Sequence, residues 1–418
     1  MLKVLTLLLM FLSLQAELLT QEEAITKAIA YHPDIKHFIY QVTSSEERVK
    51  ATRSDYLPQV HVNAEYDPTR TYVLPQNGQF NTIQSDGWQA GVVLNQKIWD
   101  FGKTGSAIDS SKVDTKIAEL SLSDAKALLA YNVKRQYALM VVQHKAVAVR
   151  KKDMEAKEML YKQSEAMFTQ GMRTRADATR FLSSYYVAVD NLSISEAAYE
   201  KARVALSLYM GEVVDANVTL QEDLLSPTET RYDDGDLLYG EIEEKNPQLK
   251  SAQESVHKSE LLYKSVHASH YGSIDAVASY NHQDTLNSYD ATLVGITLTI
   301  PLYVGGRISA QAQQAKLAQA SAKAAYASRA LALEQEVQGL FIDLKRYEKT
   351  IKAKQSQLEA SKQTQTLLNA RYKEGLSTYI EVLDATALYL NAELGLLEAY
   401  YSRSVILNRI DYLEGKTL

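Results

Sequence analysis

Few residues in this chain stand in a pattern that could do covalent or metal chemistry, and each has a plainer reading. Gly102-Lys103-Thr104 and Gly415-Lys416-Thr417 carry the last letters of a phosphate-binding loop. Lys97 and Ile410 stand where that loop needs its first glycine, so neither stretch is expected to cradle phosphate. His267 and His270 could present two imidazoles from one helix face, with Glu260 two turns away. A solvated helix end explains them equally well, and no metal site is expected. Cysteine is absent, which excludes disulfides, thiolate metal sites, catalytic thiols and acylation at an N-terminal cysteine. Neither an enzymatic activity nor a cofactor is expected. Two acids one turn apart, Glu381 and Asp384, remain, and Thr378 three residues before Glu381 already gives that glutamate a helix-capping role.

Composition narrows the classes further. The net charge of −6 argues against a general nucleic-acid binder, which needs a basic face to displace phosphate counterions. At the N-terminus Lys3 precedes an apolar run from Val4 to Leu14, and Ala16 stands before Glu17. One positive charge, a short apolar core and a small residue read as an export signal over residues 1–16, cleaved after Ala16. No later stretch reaches the ~18 apolar residues of a membrane-spanning helix.

The elements that must position these residues are marked by glycine and proline. No proline lies between residues 76 and 226 or after 301, and neither glycine nor proline occurs from Ser106 to Gln170. From Arg307 to Glu374 there is only Gly339. These stretches are rich in Ala, Leu, Lys, Glu and Gln, so helices are expected over about 103–170 and 307–374, each on the order of 100 Å long. Gly171 and Gly375 end them as left-handed caps. Thr174-x-x-Asp177 and Thr378-x-x-Glu381 start new helices over about 175–210 and 379–414, which makes two antiparallel helical hairpins. Shorter helices are expected at 34–56 and 247–270.

The chain repeats itself. Gly306, Gly375 and Gly415 each follow Gly102, Gly171 and Gly211 by 204 residues. Upstream the displacement is 214, as in His32-Pro33 against Asn246-Pro247, so the first half holds an insertion between Tyr66 and Asn95. Its Pro68, Pro75 and Asn77-Gly78 read as a loop tip. The expected organisation is a first repeat over 17–211, a linker over 212–235 outside the helices, and a second repeat over 236–418. Four segments, about 59–67, 87–98, 273–280 and 291–302, alternate apolar and polar residues with period two. Val60, Val62, Ala64 and Tyr66 make one such apolar face, and Val294, Ile296, Leu298 and Ile300 another. Their lengths suit tilted membrane strands, and two soluble hairpins are the other reading. Four strands cannot close a barrel, and open edges are not tolerated in lipid, so spanning strands require several chains. Two chains would leave room only for side chains, and a conducting pore favours three or more.

At this point the residues resemble a known family, the TolC-like outer-membrane efflux proteins, over essentially the whole mature chain. The most specific stretch runs from Ala370 through Gly375-Leu376-Ser377-Thr378 to Glu381-Val382-Leu383-Asp384 and Thr386. Ile300-Pro301-Leu302-Tyr303 with Gly305-Gly306-Arg307 and the duplication itself are also similar to the family. The resemblance implies a mainly α fold with a small membrane β part, assembled as a homotrimer. The duplicated unit of β-hairpin plus long helical hairpin would then build a twelve-strand barrel in the outer-membrane lipid on a twelve-column α-helical tunnel in the periplasm. It implies an export duct for efflux or type I secretion that docks a periplasmic adaptor (a membrane fusion protein) and, through it, an inner-membrane pump. The alternative of a different kind is a periplasmic coiled-coil scaffold without a pore.

The same resemblance implies roles for residues at the two helix turns. Glu381 and Asp384 match acids that ring the closed periplasmic aperture, where carboxylates attract cations and repel anions. Tyr372 and Asp177 match members of a closed-state lock. Its arginine position is held by Ser377, and Arg173 is the candidate substitute. Gly171, Met172, Arg173, Gly375, Leu376 and Ser377 are the expected adaptor-docking tips. Many family members carry a lipidated N-terminal cysteine, and this chain departs from them.

Overall fold

The computed structural model describes residues 18–76, 78–216, 218–222 and 232–417. The expected export signal and the middle of the linker lie outside the described residues. In chain order the elements are β1 (Leu18–Leu19), α1 (Gln21–Tyr31), α2 (Pro33–Arg53), β2 (Gln59–Gln76), β3 (Gln79–Trp99), α3 (Lys103–Thr169), α4 (Arg175–Met210), β4 (Thr219–Leu220), α5 (Gly235–Lys245), α6 (Pro247–Ala268), β5 (Ser273–Asp284), β6 (Ser288–Thr299), α7 (Arg307–Lys373) and α8 (Tyr379–Leu413). The two long helices, α3 and α7, have 67 residues each.

Two compact units form, one from residues 1–37, 122–247 and 330–418, the other from 38–121 and 248–329. Neither follows a repeat: each draws on both, because the duplicated elements pair across the repeats.

The second unit holds a four-stranded antiparallel sheet in the order β2-β3-β5-β6. Its β3–β5 pairing joins the two hairpins, with Val92 opposite Tyr280 and Leu94 opposite Ala278. Val60, Val62, Ala64, Trp88, Val92, Leu94, Ala278, Val294, Ile296 and Leu298 share one face by this register, and His61, Asn63, Glu65, Gln89, Asn281 and Thr297 the other. The apolar face is exposed, with Val62 at 75% and Val294 at 81%. Strands β2 and β6 are the free edges.

The first hairpin differs from expectation. Segment 68–76, read as a loop, is strand, and β3 begins again at Gln79. A β-bulge between Asp67 and Arg70 absorbs Pro68, where a missing N–H breaks no regular pair. Pro75 lies on the edge strand, where proline is tolerated.

Where β3 meets α3 the chain turns sharply, with Phe101 at φ 57° and Gly102 at φ 86°. Asp100 caps the helix by accepting from Thr104 N at 2.9 Å and from the Tyr56 hydroxyl at 2.9 Å. Lys97 Nζ lies 3.8 Å from the same carboxylate. Asp100 is 1% exposed. Burial alone would raise its pKa, but the Thr104 and Tyr56 hydrogen bonds and the Lys97 charge outweigh it and hold the carboxyl below the usual aspartate range. This carboxylate already occupies the helix N-terminus, so Gly102-Lys103-Thr104 has no phosphate-cradle geometry. Gly415 follows α8 and not a strand.

The first unit is helical, with a core around Ile25, Ala130, Val133, Tyr137, Met140 and Leu206. Leu18–Leu19 pairs in parallel with Thr219–Leu220, so the described start of the chain is tied to the linker. Buried Tyr137 fastens that pairing, donating to Leu19 O at 2.8 Å and accepting from Gln221 N at 2.9 Å. Helices α1 and α5, each 11 residues, were not foreseen.

Candidate functional site

The candidate site lies at the two helix turns, both in the first unit. After α3, Gly171 takes φ 75°, and the N–H of Met172 reaches back to Met167 O at 2.9 Å. After α7, Gly375 takes the same φ, and the N–H of Leu376 reaches Arg371 O at 2.8 Å. These are two copies of one left-handed cap, which satisfies the last carbonyls of each helix. Each next helix opens with a capping box, Thr174 with Asp177 and Thr378 with Glu381. The amide and hydroxyl of Thr378 donate to the Glu381 carboxylate at 2.6 and 3.0 Å. Those bonds, the amide first, hold the Glu381 carboxyl below the usual glutamate range.

Between the turns lies a small core of Leu160, Phe181, Tyr372 and Val382. Phe181 meets Tyr372 edge-to-face at 5.6 Å and Tyr379 edge-to-face at 6.3 Å. Two arginines from the first turn region cover tyrosines from the second. The Arg173 guanidinium lies 4.8 Å from the Tyr372 ring centre, and that of Arg180 lies 5.0 Å from the Tyr379 ring centre. Arg173 also donates to Ser377 O at 3.1 Å. The Tyr372 hydroxyl is buried and has no hydrogen-bond partner among the described residues.

Of the three expected lock residues, Arg173 and Tyr372 come together, whereas Asp177 caps its own helix. Of the expected tips, Met172 and Leu376 are exposed at 61% and 67%. Ser377 is not a surface group: its hydroxyl turns inward and donates to Leu368 O at 3.1 Å, whereas Gly375 and Leu376 beside it are exposed. Glu381 and Asp384 are both exposed. The rings of His267 and His270 lie 5.4 Å apart with their planes tilted by 46°, within an aromatic group with Tyr263 and Tyr271. Among the described residues no group of three or more His, Cys, Asp or Glu could hold a metal ion.

Sequence reasoning missed Phe181, Arg180 in its stacking role, and Tyr379. Their partners lie on other helices, and periodicity within one helix carries no sign of them. The one available signal was repeat asymmetry: Phe181 matches Ala385 and Arg180 matches Asp384 at the 204-residue displacement.

No helix among the described residues is long and apolar enough to cross a membrane. The profile of the family described as outer membrane efflux protein matches residues 24–212 and 238–416. Outer membrane protein TolC of Escherichia coli K12 is 24% identical over 398 residues, covering 89% of this chain and 77% of that protein. Among solved structures, CusC superposes with a TM-score of 0.83 at 16% identity, over 95% of this chain and 92% of CusC. The open-state MtrE outer membrane channel of Neisseria gonorrhoeae gives 0.80 at 18% identity, over 95% and 89%. Both repeats fall inside the match. The chain is therefore a member of the outer membrane efflux protein family, an outer-membrane efflux channel.

Proposed function

We propose that three copies of this chain close one twelve-strand barrel and form a passive duct through which an adaptor and an inner-membrane pump discharge cargo. The observation that carries this reading is the four-stranded sheet with one apolar face and two unpaired edges, β2 and β6. Lipid offers no partner for edge N–H and C=O groups, so the edges must pair between copies. Strands β5 and β6 have 12 residues each, about 40 Å along the strand and about 30 Å across a bilayer at the usual tilt. That matches the hydrocarbon core. Three copies suit a conducting pore, since eight strands from two would be filled by side chains.

In this reading the two turns are the adaptor-docking end, with Met172 and Leu376 as the apolar contacts. The Arg173–Tyr372 pair holds the turns of one chain together, and Glu381 and Asp384 of three chains face the closing aperture. Efflux and type I secretion both fit such a duct. The test is reconstitution of the purified full-length protein in planar bilayers, with fractionation of cells that express it. Channel activity and recovery with the outer membrane are expected. Recovery in a detergent-free soluble fraction without conductance would refute the duct.

A further inference from the structure

Beyond the bilayer-sized sheet the first hairpin continues alone. Strand β3 pairs with β5 only from Trp88 onward, whereas β2 and β3 stay paired out to Gln76 and Gln79. Residues 70–76 and 79–85 therefore form a two-stranded ribbon with no third strand among the described residues. Strand β6, at 12 residues, is also too short to accompany the 18 residues of β2 in a neighbouring copy.

The bulge at the ribbon's base changes which way its side chains face. Below it, Val60, Val62, Ala64 and Tyr66 oppose Leu94, Val92, Ala90 and Trp88 on the apolar face. Above it, Tyr72 opposes Ile83 and Arg70 opposes Ser85. Strand β3 alternates without interruption through this stretch, so Ile83 lies on the same face as Gln89 and Gly91, the polar face. One extra residue in β2 has thus carried Tyr72 and Leu74, with Ile83, onto the side that lines the lumen if the apolar face meets lipid. Leu74 and Ile83 are exposed at 39% and 43%. Val73, Pro75 and Phe80 continue the lipid-side face.

Resting on the trimer reading, we propose that Leu74 and Ile83 of three copies meet above the barrel as an apolar ring that narrows its outer exit. Lipid does not explain these residues, because the bulge has turned them away from it. A second copy does: the ribbon continues the β2 edge at which copies must already pair. Its charge also permits close approach. Arg70 is the one charged side chain between residues 70 and 85, and Asp67 pairs with it at 3.2 Å. Three such ribbons can converge without like-charge repulsion, and an apolar constriction resists wetting.

The absence of cysteine makes the test clean. Ile83→Cys and Phe80→Cys are made singly in the full-length protein and treated with an oxidant and a short bis-maleimide on intact cells. Each variant's native mass is measured in detergent. In a threefold ring one cysteine per chain can link two of three copies, so Ile83→Cys is expected to reach about two-thirds linked chains and Phe80→Cys to stay near background. A trimer in which Ile83→Cys does not link, or links no more than Phe80→Cys, overturns the ring and leaves the trimer standing. A monomer by mass overturns both.

Discussion

Arg173 reaches from the first helix turn to lie 4.8 Å from the ring centre of Tyr372 at the end of α7, and donates to Ser377 O at 3.1 Å. The contact ties the two turns of one chain. A partly desolvated cation–π contact contributes about 0.5–2 kcal/mol, or roughly 2- to 30-fold in a two-state equilibrium. Arg173→Ala is therefore expected to raise the resting open probability by that order in planar bilayers. Arg173→Lys should recover less than half of the effect, because it keeps the charge and loses the planar fork. Wild-type gating in Arg173→Ala would restrict the contact to local stability.

Asp384 is exposed and takes no part in a capping box, whereas Glu381 is held by Thr378. Asp384→Ala is expected to lower cation preference and to weaken block by divalent ions from the periplasmic side, with little change in thermal stability. Glu381→Ala should change selectivity less and fray the first turn of α8, read as faster amide exchange there. Because the folded-state pKa of Glu381 is depressed, its capping contribution is full above the unfolded value, about 4.3, and is lost as pH falls through the folded value. Protection of the α8 start that does not change between pH 6 and pH 3 would contradict the capping role.

The junction of β3 and α3 depends on Asp100. Asp100→Ala leaves the Thr104 amide, the Tyr56 hydroxyl and Lys97 without their shared acceptor, and should cost about 2–4 kcal/mol. Its depressed pKa has the same sign: stability from this group is present at neutral pH and falls away below about pH 4. Thermal melting of the detergent-solubilised protein at pH 7 and pH 3.5 checks both. The variant should melt lower at pH 7 and show a smaller acid shift than the wild type.

Gly171 and Gly375 both sit at φ 75°, and nothing lies within 4 Å of the Cβ that a side chain would add. Any penalty on substitution therefore comes from backbone conformation and not from crowding. Replacing both with valine should strain each turn by about 1–3 kcal/mol and displace Met172 and Leu376. Loss of cargo export with normal membrane assembly is expected. Unchanged export would count against docking at the turns.

The helices were legible because their boundaries are local. Gly171, Gly375 and the threonines three residues ahead of Asp177 and Glu381 set chain direction by backbone conformation and capping, which neighbours in sequence determine. The loop reading of 68–76 failed because proline was taken as punctuation. In the folded chain a bulge and an edge position make Pro68 and Pro75 harmless, and both depend on pairing with β3. The tip core was illegible for the same reason. Phe181, Tyr372 and Val382 lie on three different helices, and nothing along any one of them reports the meeting. Asp100 was not singled out along the chain, because its partner Tyr56 lies 44 residues away and only the fold brings the two together.

The mass of the detergent-solubilised particle is the most direct check on the proposed assembly. Three chains per particle, stable in detergent and conducting when reconstituted, is the expected result. A stable single chain with both sheet edges unpaired would contradict the barrel, the aperture and the duct together.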